Sequence, residues 1–496
     1  MKLLLVCVQG DDESSAPAAA PQGSPTSVPS SQWFRASTSD LPSDQPLFTG
    51  ESGAQVPITD SMEPIDFFQL FVDDDLLRHI VAQTNIYADQ HLAANQHSLG
   101  RHSRVRRWVP TDITEMKQFL GLTLLMDLVH KPSVASYWWQ DGVFQTPIFG
   151  TVMKRNRYQL LLRFIHFNDN SHLPSVVQPT MDRLYKVRPL LDHLFEKFQS
   201  VYGIQQDVSV DESLLLWKGR LVFKQYLPLK RSRFGIKLFK LCESSTGYTY
   251  RLYVYVGKDN SFTVPCSPGI PAMPPDFGST EQIVWYLMLP LLGKGYRLYV
   301  DNFYTSIRLF QTLFLHKTPA CGTIRSNRKE FPKQLVQQKL MLGQSSAMRR
   351  DELLAVKFSD KKDVYMLSTI HCAECTTVSV RRKTIQTMDK PNCILQYNRQ
   401  MGGVDKSDQL IEPYDATRKS MRWYKKLSIH LIQLALLNAH IVYRSADSSR
   451  RMSFLEFSKS VVTSLLLEKD DTASTSADEN TIRLSAIFQR KLLRWD

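Results

Sequence analysis

The chain has 496 residues, 43% of them hydrophobic and 22% charged, which is the balance of a soluble globular protein with room for two or three domains. No apolar run approaches the roughly 18 residues of a membrane span, so we expect no membrane partner. The formal charge of +13 is uneven: residues 1–75 carry two Lys or Arg against twelve Asp or Glu, so the remainder carries +23. This imbalance favours a polyanion such as nucleic acid as partner, and nothing in the chain indicates a small-molecule substrate.

The first half of the chain divides into a tail and a helical segment. Residues 1–61 are rich in Ser, Pro, Ala and acidic residues, have little apolar surface to bury, and are predicted to be disordered. From 62 to 204 the apolar residues recur at helical spacing, and Asp112 followed by Glu115 resembles a capping box. The segment 62–204 is therefore predicted to be mostly helical.

Strand patterns begin at residue 205 and alternate with helical ones, which predicts a mixed α/β sheet over 205–330. Residues 331–390 are less regular and contain short strands, and 391–415 include a Gly pair that opens a helix. A spacing of three or four between apolar residues predicts helices again over 416–465. The last segment, 466–496, reads as an acidic Ser/Thr linker that ends in a short basic helix.

Three short acidic stretches lie within the α/β part. Asp211 and Asp301 each follow an apolar run, as expected for a buried strand that carries a carboxylate to the edge of a sheet. Asp405 and Asp408 follow the Gly pair and lie three residues apart, so on a helix they share one face. Converging carboxylates repel one another unless cations lie between them. The pattern therefore predicts a site for Mg²⁺ (or Mn²⁺) ions that support phosphoryl transfer.

Each stretch also has a simpler interpretation, since Asp-Asn after a strand is a common turn and Val-Asp-Glu can open a helix. The catalytic hypothesis depends on the three together and on the basic clusters around them. These clusters suit DNA phosphates, although any one residue could belong to a solvated basic surface. The candidate DNA-binding residues are Lys230, Arg231, Arg233 and Lys237, then Arg325, Arg328 and Lys329, then Arg418, Lys419, Arg422, Lys425 and Lys426.

Read with their neighbours, these stretches resemble the piggyBac transposases, specifically the vertebrate piggyBac transposable element-derived proteins. The resemblance covers roughly 62–450 and includes several specific blocks. They are Pro64-Ile-Asp-Phe-Phe-Gln-Leu-Phe71, Arg163-Phe-Ile-His-Phe-Asn-Asp169, Val210-Asp-Glu-Ser-Leu214, Val300-Asp-Asn-Phe-Tyr-Thr-Ser306, Met401-Gly-Gly-Val-Asp-Lys-Ser-Asp-Gln409 and Arg418-Lys-Ser-Met-Arg-Trp-Tyr-Lys425. The blocks around 224–237 and 322–329 also match.

The resemblance implies an α/β fold with an RNase H-like core and a DDD metal site. Residue by residue, Asp211, Asp301 and Asp405 take the positions of the catalytic triad, and Asp408 that of a further acid beside the third. The core would comprise 205–330 and 391–415, separated by an insertion subdomain at 331–390. A helical DNA-binding and dimerisation domain would form from 62–204 and 416–465.

The resemblance further implies metal-dependent strand cleavage and strand transfer at TTAA sites, with double-stranded DNA as partner, a homodimer, and the nucleus as location. One departure is that no Cys follows Cys393, whereas family members that move DNA commonly end in a Cys- and His-rich zinc domain. Three functions therefore remain open: an active transposase-derived enzyme, a domesticated nuclear DNA-binding protein that does not transpose, and, more distantly, a host nuclease on the same core with an unrelated substrate.

Overall fold

The computed structural model describes residues 32–37, 40, 45–173, 181–228, 233–257, 271–381, 385–414, 422–447 and 449–467. Within these ranges the chain forms one large mixed sheet, with helices that precede and follow it in sequence. The mixed α/β class expected from the sequence is therefore confirmed. The basic helix predicted at 482–493 lies outside the described residues.

The segment before the sheet is helical, because its apolar residues recur at three- and four-residue spacing and polar side chains cap the helix starts. The carboxylate of Asp73 accepts a hydrogen bond from the N–H of Leu76, and that of Asp112 accepts one from Glu115. The helices are α1 (Pro64–Gln69), α2 (Asp74–Asn95), α3 (Ile113–Leu128), α4 (Pro147–Val152), α5 (Arg155–Phe164) and α6 (Arg188–Ser200).

The strands fall into one large sheet and two small ones. They are β1 (Phe34–Arg35), β2 (Gly53–Ala54), β3 (Tyr202–Gly203), β4 (Asp207–Leu216), β5 (Gln225–Tyr226), β6 (Phe234–Glu243), β7 (Thr249–Val254), β8 (Arg297–Val300), β9 (Ala320–Thr323), β10 (Ser345–Arg350), β11 (Leu353–Ser359), β12 (Asp363–Ser368), β13 (Cys375–Arg381) and β14 (Ile385–Pro391). In the described residues the large sheet has the order β1-β10-β11-β12-β9-β8-β4-β6-β5, and β7 also pairs with β6.

The centre of the large sheet determines where the acidic residues lie. β6 pairs antiparallel with β4 and β7, whereas β8 runs parallel to both β4 and β9. The helices α7 (Ser279–Met288) and α8 (Ile307–Leu315) make the crossovers that parallel pairing requires. In the parallel register Val210 of β4 lies opposite Val300, the last residue of β8, and β4 continues to Leu216. Residues that follow β8 therefore lie beside the middle of β4.

Residues 331–390, expected to form an inserted subdomain, extend this same sheet. β12 pairs antiparallel with β9, with Met366 opposite Thr323. β11 then pairs with β12, and β10 pairs with β11. β13 and β14 form a separate hairpin. The helices of this part and the segment after it are α9 (Lys333–Gln337), α10 (Asn392–Gln400) and α11 (Gly403–Ile411). The irregular sequence pattern gave short strands but could not show which neighbour they would pair with.

The two helices that end the described chain, α12 (Trp423–Ala446) and α13 (Phe454–Leu467), pack on the first helical segment. The rings of Tyr443 and Phe67 lie 5.3 Å apart, and a Cβ on Gly121 of α3 would lie 2.9 Å from Leu466 Cδ2. The two helical stretches therefore share one apolar core, although more than 200 residues separate them. Among the described helices, none has both the length and the apolar character needed to cross a bilayer.

Part of the N-terminal segment predicted to be disordered is attached to the body. Thr49 N–H donates to Lys294 O at 2.9 Å, Gln55 N–H donates to Val201 O at 2.8 Å, and β1 pairs with β10 as the outermost strand of the large sheet. The prediction of disorder is therefore wrong for 45–61, because its backbone groups find partners on the body that composition alone cannot show. Residues 1–31 lie outside the described residues.

A buried Asn ties α12 to the sheet and gives a test of this fold. Asn438 is fully buried; its amide donates to Thr249 O at 2.9 Å and its carbonyl accepts from Thr249 N–H at 3.0 Å. We expect Asn438→Ala to lower the free energy of unfolding by about 3 kcal/mol, because two buried backbone groups lose their partners. Thermal and urea unfolding measure the change. Asn327→Ala, at an exposed loop position, is the control and should stay within about 0.5 kcal/mol of wild type.

Candidate active site

Asp211 and Asp301 lie next to each other at the centre of the sheet. Val210 of β4 and Val300 of β8 are partners in the parallel register, so the acidic residues that follow them are neighbours as well. Both valines are fully buried in the core, whereas the carboxylates that follow them are only partly buried. The sequence prediction that two strands deliver carboxylates to one place agrees with this arrangement.

The pKa of Asp211 is raised from 3.8 to about 7, first because the carboxyl is largely buried and then because the Glu212 and Asp301 carboxylates lie near it. The backbone N–H of Glu212 donates to Asp211 Oδ1 at 2.8 Å and partly opposes this rise. Glu212 also accepts a hydrogen bond from the Tyr304 hydroxyl at 3.3 Å. The sequence analysis did not assign Glu212 to the site, although its place directly after Asp211 was a signal for it.

Burial and the nearby Glu212 charge also raise the pKa of Asp301, while a hydrogen bond from Phe303 N–H, at 2.9 Å, and the Arg325 guanidinium oppose the rise. The loop that carries Asp301 is held by its own backbone, since Tyr304 N–H and Thr305 N–H both donate to Asp301 O. Two like-charged groups in a half-buried position favour the binding of a proton or a cation between them.

Helix α11 brings the third acidic stretch onto the same strands. It begins at Gly403, where an added Cβ would lie 2.6 Å from Ser209 Oγ and 2.8 Å from Glu243 O. Only Gly allows the helix to approach β4 and β6 this closely. Gly247, with φ of +81°, forms the β6–β7 turn that also contacts this helix through Ser407 N.

Asp408 faces the sheet but is already paired. Its Oδ1 lies 2.7 Å from Lys240 Nζ, and Lys240 is fully buried. Burial alone would raise the pKa of Asp408, but the Lys240 ammonium holds that pKa below its ordinary value. Lys240 was not among the predicted site residues, because a Lys within a strand pattern reads as a solvent-facing position.

Asp405 lies in the first turn of α11 and its side chain is exposed. The structure therefore brings Asp211 and Asp301 together, places Asp405 on the adjacent helix, and joins Asp408 to Lys240. In the part of the chain that the structure describes, no three or more His, Cys, Asp or Glu side chains form a group that could hold a metal ion.

The fit to a divalent metal is thus partial. Asp211 and Asp301 suit it, since hard cations take carboxylate oxygens and would relieve the repulsion that raises both pKa values. Asp405 could contribute from α11 as an exposed carboxylate. Asp408 does not fit, because its inward oxygen is the partner of a buried ammonium.

Several predicted DNA-binding residues surround the Asp301 loop. Arg325 is exposed and its Nε donates to Asn302 Oδ1 at 3.1 Å, whereas Arg328 donates to the carbonyls of Asn302 and Phe303 at 3.1 and 2.9 Å. Lys329 and Arg233 are exposed. Lys237 Nζ lies 5.0 Å from the ring centroid of Phe303. Arg328 therefore holds the loop, and the exposed cations are the ones able to meet phosphates.

The predicted DNA-binding residues at the start of α12 include both exposed and buried side chains. Arg422 is exposed, but Lys425 and Lys426 are each only 5% exposed. Lys425 Nζ donates to Leu162 O at 2.8 Å and to Arg163 O at 2.5 Å, so it caps the last turn of α5. Lys425 and Lys426 are therefore buried structural groups, contrary to the prediction. Lys230, Arg231, Arg418 and Lys419 lie outside the described residues.

A family model for Transposase IS4 matches residues 63–440. Two human relatives are PiggyBac transposable element-derived protein 3, 27% identical over 417 residues, and PiggyBac transposable element-derived protein 2, 25% identical over 439. The matches cover 80% and 86% of this chain, which spans 64% and 69% of the lengths of these relatives.

The structure resembles the chain in a cryo-EM structure of a piggyBac transposase synaptic complex with hairpin DNA. The sequences are 26% identical, the TM-score is 0.71, and the match covers 87% of each chain. This likeness confirms the α/β transposase fold with an RNase H-like core that the sequence motifs implied.

The pKa of Asp211 is the first test of the site. Between pH 3.8 and about 7 the folded protein binds more protons at this group than the unfolded chain does, so this carboxyl makes stability fall as the pH rises. Asp301→Asn removes one like charge and should lower the pKa of Asp211, though burial and Glu212 keep it above 3.8. A ¹³C NMR titration of labelled Asp carboxyls without divalent ions measures it. A pKa for Asp211 that Asp301→Asn leaves unchanged would contradict the arrangement.

The second test separates buried from exposed lysines. We expect Lys425→Met to destabilise the protein by about 1–2 kcal/mol, because two carbonyls of α5 lose their donor, and to leave the DNA affinity of the folded protein unchanged. Lys329→Gln should leave stability unchanged but weaken DNA binding and reduce the log–log salt slope by about 0.9. Fluorescence anisotropy with a labelled duplex at several salt concentrations, beside thermal unfolding, distinguishes the two. Equal losses of DNA affinity in both variants would show that Lys425 contacts DNA.

Proposed function

Because the chain belongs to the piggyBac transposase family, we propose that it acts on double-stranded DNA by metal-dependent strand cleavage and strand transfer at TTAA sites. The observation that carries this proposal is the pair of carboxylates, Asp211 and Asp301, side by side on parallel strands with raised pKa values. Asp405, on the helix packed across β4, is the third member of the proposed DDD site.

The side chains around the carboxylate pair have defined tasks in this proposal. A divalent ion, Mg²⁺ or Mn²⁺, would activate the attacking water or 3′-hydroxyl and stabilise the leaving oxygen. Asp211 and Asp301 supply negative charge that a cation neutralises. The Tyr304 hydroxyl orients Glu212, and Arg328 fixes the loop that follows Asp301. No protein nucleophile is needed, because the reacting hydroxyls belong to water and DNA.

The DNA partner is supported by two independent features. The structural relative was solved in a complex with hairpin DNA, and an exposed cation of this chain, Arg325, lies beside the Asp301 loop. Phosphate contacts from such residues would place the strand across the carboxylates. A homodimer and a nuclear location complete the proposal and are carried over from the family resemblance.

A second candidate function is that of a domesticated nuclear DNA-binding protein without transposition activity. It is favoured by the state of Asp408, which is engaged with Lys240, and by the exposure of the Asp405 side chain. In this case the same basic surface binds DNA, but the carboxylates do not assemble a working metal site.

A cleavage assay distinguishes the two functions. The purified chain is incubated with Mg²⁺ or Mn²⁺ and a labelled duplex that contains TTAA, and products are resolved on denaturing gels. We expect cleavage by wild type and at least about a 10²-fold loss in Asp301→Asn, since a ligand of the reacting metal is removed. Asp207→Asn is the matched control, because Asp207 is also half-buried but is the first residue of β4, four residues before Asp211, and is hydrogen-bonded to Tyr299 and Gln400.

The possible results of this assay distinguish the two candidate functions. DNA binding without cleavage would support the domesticated function, and loss of cleavage in both variants alike would mean that Asp301 has no special role. A wild-type chain that binds no duplex even at low salt would overturn both functions.

A further inference from the structure

Lys240 places an ammonium group in the carboxylate site. It lies in β6, where the antiparallel register places it directly opposite Asp211 of β4, and it has no exposed surface. Side chains at directly opposite positions share one face of a sheet, so Lys240 and Asp211 both face the side on which α11 packs. Such a Lys needs a counter-ion, because an unpaired ammonium in the interior is strongly unfavourable.

The counter-ion is Asp408. Lys240 Nζ lies 2.7 Å from Asp408 Oδ1 and 3.4 Å from Ser407 Oγ, and Ser407 Oγ lies 3.2 Å from Thr249 Oγ1 of β7. This chain of polar contacts joins three elements, β6, β7 and α11. The Asp408 side chain keeps 36% of its surface exposed, so the pair is buried on the lysine side and open on the carboxylate side.

We propose that Lys240 serves as a built-in cation that withholds Asp408 from metal coordination, so that any metal at this site is held by the acidic residues outside the pair. This inference rests on the proposed function and refines its site. Lys240 and Asp408 are then positioning residues: they fix α11 on β4 and β6, and thereby set where Asp405 lies relative to Asp211 and Asp301. The geometry of the site then depends on the Lys240–Asp408 ion pair. The metal is held by the other carboxylates, without Asp408.

The charge arithmetic favours this arrangement. Asp211, Glu212 and Asp301 already affect one another, and a fourth inward carboxylate without a partner would add to their repulsion. The Lys240 ammonium lies 2.7 Å from Asp408 Oδ1 and lowers the pKa of Asp408, whereas burial, Glu212 and Asp301 raise the pKa of Asp211. The lysine therefore offsets the charge of Asp408 and stabilises the docking of α11.

The first experiment is a double-mutant cycle on thermal unfolding of the full chain without metal. Asp408→Asn leaves a buried ammonium without its counter-ion and should lower the melting temperature more than Lys240→Met, which leaves a carboxylate that water can reach. In the Asp408→Asn background, adding Lys240→Met should restore about half or more of the lost stability. A further loss in the double variant, equal to the sum of the single losses, would overturn the ion-pair assignment.

The second experiment measures Mn²⁺ binding by electron paramagnetic resonance and calorimetry, with no DNA and no turnover. The Lys240→Met/Asp408→Asn variant, which keeps the shape of the pair, should bind Mn²⁺ within about twofold of wild type. Asp211→Asn should weaken binding more than about tenfold, as expected for a residue at the metal. Lys240→Met alone should tighten binding, because it frees Asp408. If the double variant keeps a melting temperature close to that of wild type, so that α11 is still docked, but loses as much affinity as Asp211→Asn, Asp408 is a metal ligand and the inference is wrong.

The two experiments separate this inference from the proposed function. A wild-type chain that binds no Mn²⁺ would remove metal-dependent cleavage, while the metal-free cycle would still decide whether Lys240 and Asp408 form a structural pair. Wild-type Mn²⁺ binding with additive losses in the cycle would leave the proposed function intact and overturn the inference.

Discussion

The site is built around the repulsion between two carboxylates that parallel strand pairing forces together. Asp211 and Asp301 follow partner residues of β4 and β8, so neither can move away without breaking the register of the central sheet. Burial and like charge raise the pKa of both groups. Holding the two carboxylates together therefore destabilises the fold and favours the binding of a proton or a cation between them. Such an arrangement is typical of a functional site rather than of a structural ion pair.

Helix α11 completes the site through close packing. A Cβ at Gly403 would collide with Ser209 of β4 and with the backbone of β6, so the helix reaches the strands only because that position lacks a side chain. The Lys240–Asp408 pair then holds the helix against the same strands about one turn and a half further along. Asp405 depends on both contacts, since it lies two residues after Gly403 and three before Asp408. Its position is a consequence of packing and charge pairing that involve its neighbours.

The sequence predicted features that depend on adjacent residues, such as strand ends and helix starts. It did not predict contacts between segments that are distant in the chain. Apolar runs that end in Asp correctly marked the end of β8 before Asp301, and the Gly pair marked the start of α11, because these signals are carried by adjacent residues. The same pattern was wrong about the strand end at Asp211, because β4 continues past it to Leu216. The pairing of β12 with β9 and the attachment of 45–61 to the body are contacts between distant segments, which periodicity cannot encode. Lys240 was missed for the same reason, since only the structure shows that a helix covers that face of β6.

The same limitation applies to charge. A basic composition predicts a polyanionic partner, but it does not show which cations face solvent. Lys240 and Lys117 are buried against carboxylates, at 2.7 Å from Asp408 and 2.9 Å from Asp74, and so add little to the outer field. Lys425 is buried against backbone carbonyls, and burial, with a smaller contribution from neighbouring cations, lowers its pKa to about 7. The surface that can bind DNA is therefore smaller than the net charge suggests. Among the predicted DNA-binding residues that the structure describes, Arg325 is exposed and lies beside the Asp301 loop, where it can meet a phosphate.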